Sequence, residues 1–490
     1  MAGGQDVETI PDAQRWRILW VLLVAIFMSL VGVSIVNVAI PSIQDGLSAS
    51  DSDVQWVLSG YALTFGVVLV AGGRAGDLLG RGGLFVSGVT VFTLASVAAG
   101  LAPGAGSLNA ARFVQGVGSG LLNPQGVGMI QQYFRGAERG RAFGAFGSVV
   151  GVAVAIGPVI GGLLIQLGGP ELGWRLTFLV NVPVGILCLV LAWLWFPRPL
   201  LHRPRRADGS TEPVWRSLDP VGSALLGLAV LATMLPFVEG GSSPWYWTSL
   251  PVGALLGWAW VRWERHYRDT GRSPMVDLAI FTIPSFTRGS TIALLYFLGM
   301  TSVWVLVALY LQIGAGKSAL QSALVGVPAA LTAAVAAGWA GRRVDRQGRQ
   351  LVIGGLCLAL VGAGSTIVVT LLQAGGHISE WWLALSLVFV GAAQGSVISP
   401  NQTLALADVP LAYAGSSGAV MQTGQRIGTS VGIAVITSAT FAVVGATSSW
   451  ATAMSAGFGL IGAVVLVALV FAVRDQREVA PPPAPATTSP

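Results

Sequence analysis

Charge is what this sequence is short of. Only 10% of its 490 residues are Asp, Glu, Lys or Arg, against about 25% in a typical soluble domain. That deficit, beside 53% hydrophobic residues and a mean hydropathy of +0.72, excludes a set of water-soluble domains. Cysteine is nearly absent. Cys188 and Cys357 both fall inside apolar runs, so neither a disulfide framework nor a metal site is expected. The three histidines, His202, His266 and His377, lie far apart in loops or at the ends of apolar runs, which argues against a metal cluster. The net charge of +6 is scattered over short loops. It reads as a topology signal and not as a nucleic-acid footprint. Gly314-Ala-Gly-Lys-Ser318 has the ending of a phosphate-binding loop, but the first glycine of such a loop would fall at Leu311 and no strand precedes it. No cofactor is called for. The N-terminal stretch to Asp12 has no cleavable signal pattern, and the first apolar run is long enough to stay as an anchor.

What the chain has instead is apolar length. A helix needs about 20 apolar residues to cross a bilayer. Fourteen such segments can be counted, at roughly 17–40, 54–73, 84–102, 108–132, 143–168, 174–196, 219–238, 248–263, 288–311, 320–341, 351–373, 381–406, 416–442 and 452–473. With both termini cytoplasmic, every Lys and Arg except Arg112, Arg175, Lys317 and Arg426 falls on the inside. Adding or removing one span would scatter that asymmetry.

An internal repeat organises these segments. Gly73-Arg-Ala-Gly-Asp77-Leu-Leu-Gly80-Arg81 joins spans 2 and 3, and Gly341-Arg-Arg-Val-Asp345-Arg-Gln-Gly348-Arg349 joins spans 10 and 11. Spans 1–6 then match spans 9–14 as parallel halves. The expected fold is an all-α polytopic membrane protein of 14 transmembrane helices, in two six-helix halves with pseudo-twofold symmetry plus an inserted two-helix hairpin. The expected divisions are 1–196, a Pro- and Arg-rich linker at 197–218, the hairpin and its following loop at 219–287, the second half at 288–474, and a tail at 475–490 that cannot form a core. Within span 5, Gly147 and Gly151 form one small-xxx-small pair and Gly157 and Gly161 another, which lets a neighbouring helix approach closely in lipid. Pro158 adds a bend.

These motifs, in this order, resemble the fourteen-span drug:proton antiporter group of the major facilitator superfamily. The Gly73–Arg81 loop is similar to its cytoplasmic gate motif, and Ser34-Ile-Val-Asn-Val-Ala-Ile-Pro41 to the end of its first helix. Arg112-Phe-Val-Gln-Gly116 resembles the fourth-helix motif, Gly157-Pro158-Val-Ile-Gly161-Gly162 the antiporter motif of the fifth helix, and Trp174-Arg-Leu-Thr-Phe-Leu-Val-Asn-Val-Pro183 the start of the sixth. The resemblance implies a plasma-membrane exporter that makes or breaks no covalent bond. It would move amphipathic small molecules by alternating access in exchange for protons, as a monomer, with no nucleic-acid partner. A facilitator or specific carrier of the same fold, and a non-transporting membrane sensor, remain as alternatives.

It also implies site residues. Gly73, Asp77, Gly80, Arg81, Asp345 and Arg349 would form the gate, with Asp77 near a helix N-terminus or an arginine of the opposite half. Arg112 lies inside span 4, where an arginine costs about 2.5–3.5 kcal/mol to insert and must face protein or water. With Glu239 and Arg426 it is a candidate for proton coupling. Members of the group usually carry an aspartate in the first helix, and here that position is Gly32. No acid falls in the middle of any span; Asp53, Asp219, Glu239 and Asp408 lie at span ends. The deep charges are arginines, so neutral, amphipathic or anionic substrates are expected. The cavity candidates are Asn37, Tyr61, Gln115, Asn123, Gln125, Tyr296, Trp304, Gln394, Asn401 and Gln422. For each of them, helix–helix hydrogen bonding is as good a reading as substrate contact.

Overall fold

The computed structural model describes residues 10–201, 218–239, 243–272 and 274–479. Positions 202–217 of the expected linker and the tail from Ala480 lie outside the described residues. Among those described, all regular structure is helical. The long helices are α1 Asp12–Leu47, α2 Asp51–Leu79, α3 Arg81–Gly100, α4 Ala105–Tyr133, α5 Gly136–Leu179, α6 Asn181–Trp195, α7 Pro220–Glu239, α8 Ser249–Asp269, α9 Pro284–Leu309, α10 Ala319–Gly341, α11 Arg349–Ala374, α12 Trp382–Ala405, α13 Ala414–Thr447 and α14 Trp450–Val479. One turn, Val344–Gln347, joins α10 to α11. The expected break between spans 5 and 6 is only a bend, at Gly169 (φ 68°), and α14 runs past the expected end at 474.

Twelve helical stretches are long and apolar enough to cross a membrane. α4 and α8 fall short of that measure. α4 places Arg112, Gln115, Asn123, Gln125 and Gln131 among its glycines, and it is buried between other helices along most of its length. α8 ends in Arg262, Glu264, Arg265, His266 and Arg268.

Local chemistry repeats between the two sets of six. α2 opens with a capping box in which Ser50 and Asp53 exchange backbone hydrogen bonds (3.0 and 3.2 Å). α10 opens with the same device on Ser318 and Gln321 (3.1 and 3.2 Å). Both gate loops turn on a glycine in the left-handed region, Gly80 (φ 107°) and Gly348 (φ 50°), where a Cβ would be strained. The packing repeats as well. α1 lies on α5 and α4 between α2 and α3, just as α9 lies on α13 and α12 between α10 and α11. Phe85, Phe92, Phe134 and Phe143 fill the first core, and Phe458, Ile461, Leu356 and Leu387 the second.

Two seams join the halves, α5 against α10 and α2 against α13, and they are equivalent under the repeat. The first is closed by small residues. An added Cβ on Gly341 would lie 2.6 Å from Gly144 Cα, one on Gly144 would lie 3.0 Å from the Ala337 oxygen, and Ser148 Oγ donates to the Ala334 carbonyl at 2.6 Å. Gly147 and Gly151 belong to this seam, facing Ala337 and Ala333. α7 lies across α2 and α13, with α8 packed on its outer side. Val230 and Met234 of α7 meet Leu63 of α2 and Ile427 of α13.

Further along α5, Gly157 and Gly161 turn to α1. A Cβ on Gly157 would sit 2.8 Å from Ser34 Cβ, and one on Gly161 would sit 2.9 Å from Ile35 Cγ1, whereas one on Gly162 meets nothing within 4 Å. Gly161→Leu should therefore push α5 off α1 and destabilise the protein by about 1–3 kcal/mol or more. Gly162→Ala should be neutral. Thermal melting of the purified variants, followed by tryptophan fluorescence, checks both; a Gly161→Leu protein as stable as the wild type would mean that this face carries no packing.

Candidate functional site

The second seam is closed by charge. Asp77, in the last turn of α2, buries its carboxylate against the start of α13. Oδ1 accepts from the Gly415 backbone N–H and Oδ2 from that of Ser416, both at 2.8 Å. The unpaired amides of a helix N-terminus carry partial positive charge and suit a carboxylate. Arg81 completes the clamp. It donates to Asp77 Oδ1 (2.7 Å), to Gln132 Oε1 of α4 (2.7 Å) and to the Leu411 carbonyl (2.8 Å). Gln131 Nε2 donates to the Ala414 carbonyl at 3.0 Å. Backbone comes this close because Gly73 and Gly415 face each other; a Cβ on either would fall within 2.7 Å of the other's oxygen.

The second copy of the motif is wired differently. Among the described residues the exposed Asp345 side chain has no hydrogen bond or ion pair. Arg349 pairs instead with Asp475 of α14 (2.6 Å) and donates to Asn401 Oδ1 (2.7 Å), while Arg288 takes the other Asp475 oxygen (3.0 Å). Asp475 thus ties the start of α9, the start of α11 and the end of α14 within one half. The expected symmetry of gate residues holds for sequence but not for contacts.

At the centre, a row of rings and guanidinium groups crosses from one half to the other. Arg112 Cζ lies 4.4 Å from the Tyr61 ring centroid, Tyr61 and Phe65 are 6.0 Å apart, and Arg426 Cζ of α13 lies 4.6 Å from Phe65. Arg112 is sealed, at 1% exposure. It donates to the Val57 carbonyl (2.8 Å) and to Gln115 Oε1 (2.6 Å), and Gln115 donates on to Ser96 Oγ (2.8 Å). Tyr61 Oη also joins Ser119 Oγ (2.6 Å), which meets Ser29 Oγ (2.8 Å), and Asn123 donates weakly to Ser29 (3.4 Å). Arg426 and Gln422 are half-buried, as are Gln394 and Trp304, and Asn37 is exposed in the middle of α1.

Other candidates are placed elsewhere. Asn401 is buried and engaged by Arg349 and by the Gly289 carbonyl, to which it donates at 2.8 Å. Tyr296 is sealed in the second core. Gln125 braces α4 against the Gly72 carbonyl (2.8 Å). Glu239 accepts from Ser59 Oγ at 2.5 Å, where α7 meets α2. Gly32 faces Phe92 and Asn181, so an acid there would enter helix packing.

The chain matches the Major Facilitator Superfamily over residues 22–433. It belongs to that superfamily. It is 34% identical over 439 residues to the Streptomyces coelicolor protein named "Probable actinorhodin transporter", covering 89% of this chain and 74% of that one. It is 31% identical over 434 residues to "Puromycin resistance protein pur8" of Streptomyces alboniger, covering 87% and 82%. Among solved structures, the human organic anion transporter MFSD10 (TETRAN) shares the fold with a TM-score of 0.67 at 14% identity, covering 94% of this chain and 100% of that one. The superfamily member described here is therefore a multi-pass membrane transporter of small molecules and not an enzyme.

Several residues of this transporter were not singled out by their sequence context. Asp475 follows the last apolar run and is 126 positions from Arg349, so nothing local announces the pair. A signal did exist for Glu264, which lies four residues after Trp260 and just beyond the eighth apolar run. Trp260 Nε1 donates to Glu264 Oε1 (2.8 Å), Trp263 Nε1 donates to Asp219 Oδ1 (2.9 Å), and Glu264 Oε2 is buried with no hydrogen-bond partner. Arg74 of the gate loop is buried nearby, within electrostatic reach of both acids.

Burial, and secondly the charge of Asp219, push the Glu264 carboxyl up to about 7. An acid whose folded value lies above its unfolded one holds its proton in the native state. Stability is then full below the unfolded value of about 4.3 and falls as pH rises towards 7. Glu264→Gln keeps an acceptor for Trp260 and removes the ionisation. Its melting temperature should exceed the wild type's by a few degrees at pH 8, and the gap should close as pH falls to about 4. Parallel melting curves at both pH values would refute a buried ionisation at this position.

Proposed function

We propose that this transporter exports small amphipathic molecules from the cell by alternating access, in exchange for protons. The observation that carries the reading is the clamp of Asp77 and Arg81 on the start of α13. It latches the two halves at one face, and the contacts between halves run from that face as far as Gly151 on one seam and Phe65–Arg426 on the other. The latched face is the arginine-rich one, which the positive-inside rule makes cytoplasmic. The start of α1 lies there, through Arg15 to the Tyr133 carbonyl (3.1 Å), and so does the end of α14 through Asp475. Both termini are then cytoplasmic, and the conformation is closed to the cytoplasm. Counting α4 and α8 as spans gives fourteen, with α7 and α8 as a hairpin inserted between two six-helix halves. Burial supports the inclusion of α4, since its polar face never meets lipid.

In this mechanism Asp77 is a latch. Opening the cytoplasmic face requires its carboxylate to leave the α13 amides, and charge-assisted bonds of this kind are worth about 1.5–3 kcal/mol each. Arg112 holds its proton too tightly to pass it on; it fixes Tyr61 and Gln115 beside the cleft. The relatives named for actinorhodin transport and puromycin resistance support export over uptake.

Everted membrane vesicles test the direction and the latch together. Wild-type vesicles should accumulate at least one aromatic antibiotic or dye when a proton gradient is imposed, and an uncoupler should abolish this. Asp77→Asn leaves one acceptor for two amides and should cut accumulation about tenfold or more at matched expression. Undiminished transport by Asp77→Asn would remove the latch. Accumulation that ignores the uncoupler would favour the facilitator reading.

A further inference from the structure

We propose that Arg426 is the charge partner of an aromatic anion, a planar carboxylate or phenolate, bound in the cleft between the two halves. This rests on the export reading and names its substrate class. The position of Arg426 follows from the pattern along α13. Gly415 meets Gly73, Gly418 meets Val127, and Ala419 lies against Gly73. Gln422 and Arg426 continue that stripe at intervals of three and four residues, and such residues share one helix face. The guanidinium accordingly projects from one half onto Phe65 of the other, above the latch rather than towards lipid.

Three features make this a site and not a packing contact. First, Arg426 has no acid. Among the described residues no ion pair involves it, and the one ionisable side chain bearing on either Arg426 or Arg112 is Tyr61. A desolvated guanidinium without a carboxylate is costly, and the quadrupole of one ring offsets only part of that cost. Second, Arg426 and Arg112 differ. Arg112 is sealed and spends its donors on Val57 and Gln115. Arg426 is half-buried, with Gln422 one turn away and likewise without a hydrogen-bond partner among the described residues. Third, the two cations bracket the Tyr61–Phe65 pair, so their fields add along one row. An incoming cation would be repelled. A planar anion would find a fork of donors that already lies on an aromatic face.

The test uses two dyes with one ring system, fluorescein as the anion and a rhodamine ester as the cation. Binding to purified protein is read by fluorescence polarisation, and transport by uptake into everted vesicles. Fluorescein should bind more tightly than the rhodamine. Arg426→Gln should weaken fluorescein about tenfold or more and leave the rhodamine unchanged or stronger. Arg426→Lys, which keeps charge but not the planar fork, should fall between. Phe65→Leu, which leaves the charge and removes its platform, should weaken fluorescein by a smaller factor, and it reports on the site even where Arg426→Gln proves unstable. Fluorescein binding that is equal in all four proteins, a preference for the rhodamine, or no binding of either dye would overturn the inference. Arg426-dependent binding without any transport would support it and overturn the export reading instead.

Discussion

One carboxylate bridges the two halves by two backbone hydrogen bonds. Asp77 is placed at the end of its own helix, where no backbone donor of α2 is left to satisfy it, and it finds two amides at the start of a helix in the other half. Those amides need an acceptor as much as the carboxylate needs donors. Arg81 then neutralises the pair and reaches past it to Gln132 and Leu411. Four helices of two bundles meet at this point, and the contact is directional.

The other seam obeys different physics. Gly140, Gly144, Gly338 and Gly341 bring α5 and α10 to near backbone contact, and close contacts between smooth surfaces tolerate small sliding. The two copies of the motif thus sit at differently built junctions. One seam is latched by charge and the other is packed by shape. α7 lies on the charged seam alone, bringing Asp219 and Glu264 within reach of Arg74 in the gate loop. α7 and α8 therefore lie over the junction that holds the Asp77–Arg81 cluster.

Low charge makes every remaining charge informative. Asp475, unremarkable in a soluble protein, collects two arginines from the starts of two helices. Asp77 likewise pairs with an arginine of its own half, and its bonds across to the other half go to backbone amides. Where no acid is supplied, as at Arg112 and Arg426, rings and backbone carbonyls take its place. At Arg112 the guanidinium is sealed and held by two acceptors, and at Arg426 it is half-buried over an aromatic ring.

What the sequence determined by itself was everything governed by composition and local spacing. Bilayer thickness dictates run length, and turn chemistry dictates the glycine turns at Gly80 and Gly348. From these the all-helical fold, the internal repeat and the transporter class were legible, and so was the approach of Asp77 to a helix terminus. The tertiary structure decided what identical motifs do once they are surrounded. Asp345 has the spacing of Asp77 and lies beside the start of α5 but makes no hydrogen bond to it among the described residues, and its arginine pairs with Asp475. Arg112 is sealed, whereas Arg426 is half-buried over Phe65 of the other half. Asn401 is engaged by Arg349 and the Gly289 carbonyl, and Glu239 by Ser59. A motif fixes which donors and acceptors a loop offers; which of them are left unpaired depends on partners a hundred or more residues away, and only the packed helices set those distances.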